Sequence, residues 1–324
     1  MEMIEYSIKN KDLQINVLNY GATITKIIYK GIDVALGYEN LEDYFDNAAS
    51  LGMSVMTNAN RIAAGQAIID GKKYKLQKND GKNNLHTHTT NSCQKKIYAI
   101  SCENNKLICD IEMSDLQDGF PGNRKYRIIY ELDNNSLIIT YSCISDKKTI
   151  FNPTQHTYFN LHGHNKGTIV DHYLKINADR YTPTDDELIP NGKIESVIST
   201  PMDFRDCKLI GKDINDNFSA LIYGKGYDNN WCLNDYDFTL KYCASLKADN
   251  ILMNIYTTQP GLQVYTGNYL NGEIGKGNYT YRKNSGIALE TQFYPDCCHH
   301  DNFIKSEIEA NTTVIYKTIY EFEG

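Results

Sequence analysis

Proline is scarce in this chain of 324 residues, with 7 in all, and no Pro-rich or Gly/Ser-rich stretch breaks its patterning. No flexible linker between domains is therefore visible. Arginine is thin too, at Arg61, Arg124, Arg127, Arg180, Arg205 and Arg282, too dispersed for a bidentate phosphate-binding cluster. No apolar run approaches the ~20 residues of a membrane-spanning helix. Residues 1–6 lack the basic-then-apolar order of a signal peptide. The formal charge of −7 and a pI near 5.6 argue against nucleic acid or an anionic membrane as partner, since both require a basic face. Nine cysteines make an odd number without framework spacing, and the neighbours Cys297 and Cys298 are not in themselves a metal pair. Reduced thiols in a soluble, cytoplasmic protein are the expectation. Helical periodicity is nearly missing; the best stretch is residues 40–47, where Leu41, Tyr44 and Phe45 could share a face.

What is present is strand-like alternation. Leu13, Ile15 and Val17 alternate with Gln14 and Asn16. Leu137, Ile139, Tyr141 and Cys143 form a second row, and Phe238, Leu240 and Tyr242 a third. Residues 314–322 are rich in β-branched and aromatic side chains at strand spacing. Turn pairs fall between such runs: Asp70-Gly71, Asn104-Asn105, Asn134-Asn135, Asn191-Gly192, Asp249-Asn250 and Asn271-Gly272. This pattern predicts an all-β protein, a large twisted antiparallel β-sandwich with very little helix. No repeat of fixed period points to a propeller. Length alone leaves the domain count open, but sandwiches of this size occur as one unit. One domain over residues 1–324 is expected. Most of the 25 tyrosines suit a half-buried β-surface, and a minority could floor a ligand ring.

Two distant segments each set one titratable side chain in apolar or aromatic surroundings. They are residues 152–161, around His156, and residues 288–296, around Glu290. Such surroundings shift a pKa, so the two are candidates for general acid and general base of one reaction. On a strand, Ile287 and Leu289 face one side and Ala288 and Glu290 the other. Glu290 is then either an ordinary solvent-facing carboxylate or a buried base of raised pKa. His156 is open in the same way between a hydrogen-bonded core residue and a catalyst. His86 and His88 would share one face of a strand, a spacing compatible with zinc, yet no nearby Cys, Asp or Glu completes a ligand set. His162, His164, His299 and His300 stand unaccompanied, and no metal site is expected. Arg61, preceded by Asn60 and set beside apolar residues, suits a carboxylate partner or hydroxyl recognition. Asp228 could cap a turn and Gln263 could be a strand amide.

Together these segments resemble the aldose 1-epimerase (galactose mutarotase) family, in order and along nearly the whole chain. The carriers include Asn60-Arg61-Ile62-Ala63-Ala64-Gly65, Asn84-Leu85-His86, Gln117-Asp118-Gly119-Phe120-Pro121-Gly122-Asn123 and residues 152–161. They continue through residues 178–183, Leu188-Ile189-Pro190, Pro201-Met202-Asp203-Phe204-Arg205 and Tyr227-Asp228 to residues 259–270 and Leu289-Glu290-Thr291-Gln292. The resemblance implies a sandwich whose concave face holds the sugar, an aldohexose such as galactose or glucose. It implies that Glu290 takes the proton of the anomeric hydroxyl and His156 protonates the ring oxygen. The ring opens, the C1–C2 bond turns, and the other anomer closes. Asn60, Arg61, His86, Asp228 and Gln263 would hold the remaining hydroxyls. The chemistry requires no cofactor and no metal. Unperturbed values near 4.3 for Glu and 6.5 for His already allow an ionised base beside a protonated acid just below neutrality. A negative Asp228 or Glu290 near His156 would widen that window. Both residues should face one pocket, about a sugar ring apart.

The chain departs from the family pattern at Thr87-His88, where two glycines are usual, at Asn229, where histidine is common, and at Phe293, where His or Asn is common. Oligomeric state is left open. Two other readings are carried: a hexose-6-phosphate 1-epimerase, disfavoured by the few arginines, and a non-catalytic carbohydrate-binding protein of the same fold.

Overall fold

The computed structural model describes residues 2–324. Strand content of 45% against 8% helix bears out the all-β expectation. Nine strands form one antiparallel sheet, whose order begins at Ala99–Glu103 and ends at Lys208–Leu209. A six-stranded sheet runs Tyr158–Phe159, Ile287–Gln292, Gly261–Tyr265, Asp228–Cys232, Arg180–Thr182 and Glu195–Ser196. A four-stranded N-terminal sheet, Glu5–Lys9 to Ile32–Asp33, packs into the same core.

The alternation explains the layering. On Ser136–Ser145, Leu137, Ile139, Tyr141 and Cys143 are buried, and they meet Leu262, Val264, Ile287 and Leu289 of the six-stranded sheet in one cluster. Asp70-Gly71, Asn104, Asn134 and Asp249 adopt positive φ at hairpin turns, as their residue types favour.

Three local expectations fail. Phe238 and Leu240 are exposed in the turn before Lys241–Ala248, with Phe238 itself at φ 66°. The single-residue alternation there belongs to a turn, not a strand. Residues 40–47 give only a 3-10 turn, Leu41–Tyr44, that buries Tyr44 and leaves Phe45 exposed. Instead, the one α-helix among the described residues is Ser219–Gly224, too short to show a sequence period. Asn271-Gly272 sits inside Asn271–Ile274 at a register shift and makes no hairpin. Among the described residues no helix is long and apolar enough to cross a membrane.

Candidate active site

Glu290 lies on Ile287–Gln292, where Ile287 and Leu289 point to the core and Ala288 and Glu290 to the opposite face. That face is not solvent: Glu290 is 2% exposed, which removes the ordinary surface carboxylate from consideration. Its cross-strand neighbour is Gln263, which in turn faces Asn230, while Asp228 and Tyr265 occupy the adjoining rung. His156 ends the short strand Thr154–His156, paired with Met53–Val55, just before the chain crosses to the six-stranded sheet as Tyr158–Phe159. Gly52 N–H donates to the His156 carbonyl at 3.0 Å. The imidazole is thereby held at the seam between two sheets.

A two-residue pairing brings in the other side of the pocket. Arg61–Ile62 pairs with Asn84–Leu85, so Arg61 and His86 stand side by side. Asn60 N–H donates to His86 Nδ1 at 3.1 Å. That contact leaves the neutral ring its proton on Nε2. Beyond Leu85 the chain turns left-handed, His86 at φ 48° and Thr87 at φ 79°. His86 and His88 therefore do not alternate as strand residues, and the proposed shared face is lost. One of the family's glycine positions is thus a left-handed site that Thr87 occupies against its β-branched preference. Asn229 and Phe293 turn away from the pocket into buried surroundings, Phe293 against Tyr316.

The walls enclose about 320 Å³ and include Asn60, Arg61, His86, His156, Asp228 and Glu290. Gln263, cross-strand from Glu290, donates its Nε2 to Asp228 Oδ1 at 2.7 Å, so one end of its amide is tied to that carboxylate. Arg61 Nε donates to Asp80 Oδ2 at 2.7 Å, and its Nη1 lies 3.8 Å from Asp228 Oδ2. Sequence reading passed over Tyr269, Leu85 and Glu273, and it could not select Tyr158 and Tyr265 among the many tyrosines. Tyr265 follows Gln263 by two along a strand, which would have flagged it once the face was known.

His156 Nε2 and Glu290 Oε1 are 3.5 Å apart. They face one pocket as expected, but closer than a ring's width. The anomeric hydroxyl and the ring oxygen are bonded to the same carbon, so a compact pair can serve both. Burial raises the Glu290 pKa well above the carboxylate range, Asp228 adds to this and Arg61 opposes it. Burial also drops His156 to about 4. Imidazolium is therefore disfavoured, not stabilised as the sequence suggested, because loss of water dominates at this ring. Burial, His156 and Arg61 likewise hold His86 far below its usual value, hence neutral. His86, His156 and Glu290 offer ligand atoms within 4.8 Å of one another. The four histidines expected to stand alone are accompanied: His162 by Asp171 and Asp249, His164 by Tyr281, His299 and His300 by Asp296. Asp249 and Tyr281 come from remote parts of the chain, whereas Asp171 and Asp296 are near their histidines in sequence.

A strand-built pocket that sets a buried His–Glu pair beside Arg61, His86 and Asp228 has the composition of a carbohydrate isomerase site of the aldose 1-epimerase class. The chain matches the family Aldose 1-epimerase over residues 5–321 and belongs to it. It is 34% identical to bovine galactose mutarotase over 326 residues, covering 98% of this chain and 93% of that protein. It is 32% identical to the aldose 1-epimerase of Escherichia coli K12, covering 97% and 92%. Among solved structures, the GalM/aldose epimerase homologue from C. elegans superposes with a TM-score of 0.90 at 25% identity, covering 99% of both chains. The galactose 1-epimerase from Lactobacillus acidophilus does so with 0.88 at 29% identity, covering 100% and 95%. The protein interconverts sugar anomers.

Proposed function

We propose that the substrates are uncharged aldohexoses, galactose and glucose, and that Glu290 and His156 carry the proton transfers. The observation behind this is the 3.5 Å contact of the two groups at the pocket wall. Glu290 accepts the proton of the anomeric hydroxyl and His156 Nε2 delivers one to the ring oxygen. The C1–O5 bond breaks, the aldehyde forms, and rotation about C1–C2 presents the other face of the carbonyl. Closure returns both protons, with His156 as base and Glu290 as acid. The pair needs one proton between them, and it moves from Oε1 to Nε2 before ring opening. Sugar hydroxyls donating to the carboxylate favour that shift, since hydrogen bonds to an ionised form stabilise it.

His86 Nε2–H and the Arg61 guanidinium suit hydroxyl oxygens as donors, while Asp228 accepts from hydroxyl protons. Asn60, on the same wall, completes the polar ring. Arg61 is the one arginine on the wall and is engaged with Asp80 and Asp228, whereas Asp228, Glu273 and Glu290 supply carboxyls. A phosphorylated sugar would meet repulsion there, which favours the free hexose. Nine free thiols accord with a reducing, cytoplasmic setting. Polarimetry of freshly dissolved α-galactose, α-glucose and glucose 6-phosphate tests the reading. Glu290→Gln should lower kcat by about a hundredfold to ten-thousandfold. Unchanged kcat in that variant, or preference for the phosphate ester, would refute it.

A further inference from the structure

Away from the sugar pocket, the turn after Tyr294-Pro295 gathers several metal-ligating atoms. Asp296, at φ 56°, opens a 3-10 turn Cys297–His299. The two cysteines diverge: Cys297 enters the main core beside Ser306, while Cys298 joins the small cluster with Ile62, Ile69 and Phe120. A vicinal disulfide is thereby ruled out, and Cys298 is left beside a histidine. Its sulfur is 3.8 Å from His299 Nδ1, which is 2.6 Å from Asp296 Oδ1. Ligand atoms of the three residues lie within 4.8 Å of one another. Bond lengths of ~2.0–2.3 Å to Zn²⁺ imply tetrahedral edges of roughly 3.3–3.7 Å; the sulfur–nitrogen separation is close to this, and the His299–Asp296 hydrogen bond opens to admit an ion.

We propose that Asp296, Cys298 and His299 bind one borderline-soft divalent cation of the Zn²⁺ type, with water as fourth ligand. The donor set of one sulfur, one imidazole nitrogen and one carboxylate oxygen selects such an ion over Mg²⁺ or Ca²⁺. Burial raises the Cys298 thiol to about 12, while the Ile68 backbone opposes that shift by hydrogen bonding. Metal binding expels the thiol proton: Cys298-SH and M²⁺ give the metal thiolate and H⁺. His299 moves its own proton from Nδ1 to its partly exposed Nε2 edge. His300 Nε2 lies 3.4 Å from Asp296 Oδ2, placed to become its outer partner when Oδ1 takes the ion. That nitrogen is buried and makes no hydrogen bond of its own. Asp296 also accepts from Ala63 N–H at 2.9 Å, and its own N–H donates to the Arg61 carbonyl at 3.0 Å. An ion here would brace the segment that carries Arg61.

Cobalt titration of chelator-washed full-length protein tests this. One Co²⁺ should bind per chain, with a near-ultraviolet thiolate-to-cobalt band, release of one proton, and displacement by Zn²⁺. Cys298→Ser should abolish the band and Cys297→Ser retain it, with epimerase activity of each variant showing that it is folded. His300→Gln should weaken binding by about tenfold to a hundredfold, as loss of an outer partner does. His299→Asn supplies the same test should Cys298→Ser fail to fold. No band at saturating Co²⁺, or a band that survives both ligand variants, overturns the proposal. So does cobalt that galactose displaces, since that ion would sit on His86, His156 and Glu290.

Discussion

Glu290 has lost nearly all contact with water, and Asp228 adds a second carboxyl to the same wall. Its proton is therefore held to higher pH, while burial makes His156 give up its own near 4. Between those limits the pair holds one proton, the number that one acid and one base require. Apparent values measured by kinetics belong to the pair rather than to either residue. The logarithm of kcat/KM should be level through the middle range and fall as pH drops through about 4, where both groups are protonated and no base remains. A second fall is expected on the alkaline side, above the raised Glu290 value, where the acid is lost. A rate that instead falls between pH 6 and 7 on acidification would show that His156 is not desolvated. The same burial bears on stability. A folded-state pKa above the unfolded one favours folding below the unfolded value and penalises it as pH rises. Glu290→Gln should therefore raise the melting temperature at pH 7, with a gain that shrinks toward pH 4, alongside its loss of activity.

Short elements, rather than long strands, set the site's geometry. Thr154–His156 and Met53–Val55 are three-residue strands, and Arg61–Ile62 with Asn84–Leu85 is a two-residue pairing. Gly52 is their anchor, donating to the His156 carbonyl and accepting from Ile24 N–H at 2.9 Å and Gln155 Nε2 at 2.7 Å. At φ 64°, a Cβ there would lie 1.8 Å from the Ile24 carbonyl oxygen, a backbone atom. Gly52→Ala should therefore destabilise the fold by about 3 kcal/mol or more, the upper end of single substitutions. Urea unfolding followed by tyrosine fluorescence reads it; a loss below about 1 kcal/mol would mean that the two sheets separate freely here. These elements escaped sequence reading because two or three residues carry no period. The ten-residue strands Ser136–Ser145 and Val314–Glu323 were legible because alternation repeated along them.

At the scale of the molecule, one core cluster takes residues from Ile8 to Phe322. The last strand, Val314–Glu323, lies inside the nine-stranded sheet between Ser136–Ser145 and Ile251–Thr257. We propose that residues 1–324 fold as a single unit. Calorimetry should give one transition with equal calorimetric and van't Hoff enthalpies. Deleting residues 314–324 should abolish folding, because two central strands lose their partner at once. Two resolved transitions would divide the chain and refute this.

The sequence by itself determined the layer architecture and the identity of five titratable or charged groups that line one pocket. Alternation fixes which side chains enter the core, and a family's chemistry resides in residue types held in order. His156, Glu290, Arg61, His86 and Asp228 were all nameable on that basis. Only the tertiary structure decided what water does at those residues and which distant groups meet. It tied Gln263 to Asp228 and set His156 3.5 Å from Glu290. It also lowered the His156 pKa where the sequence suggested stabilised imidazolium, because desolvation depends on every atom packed around a group and not on its neighbours in sequence.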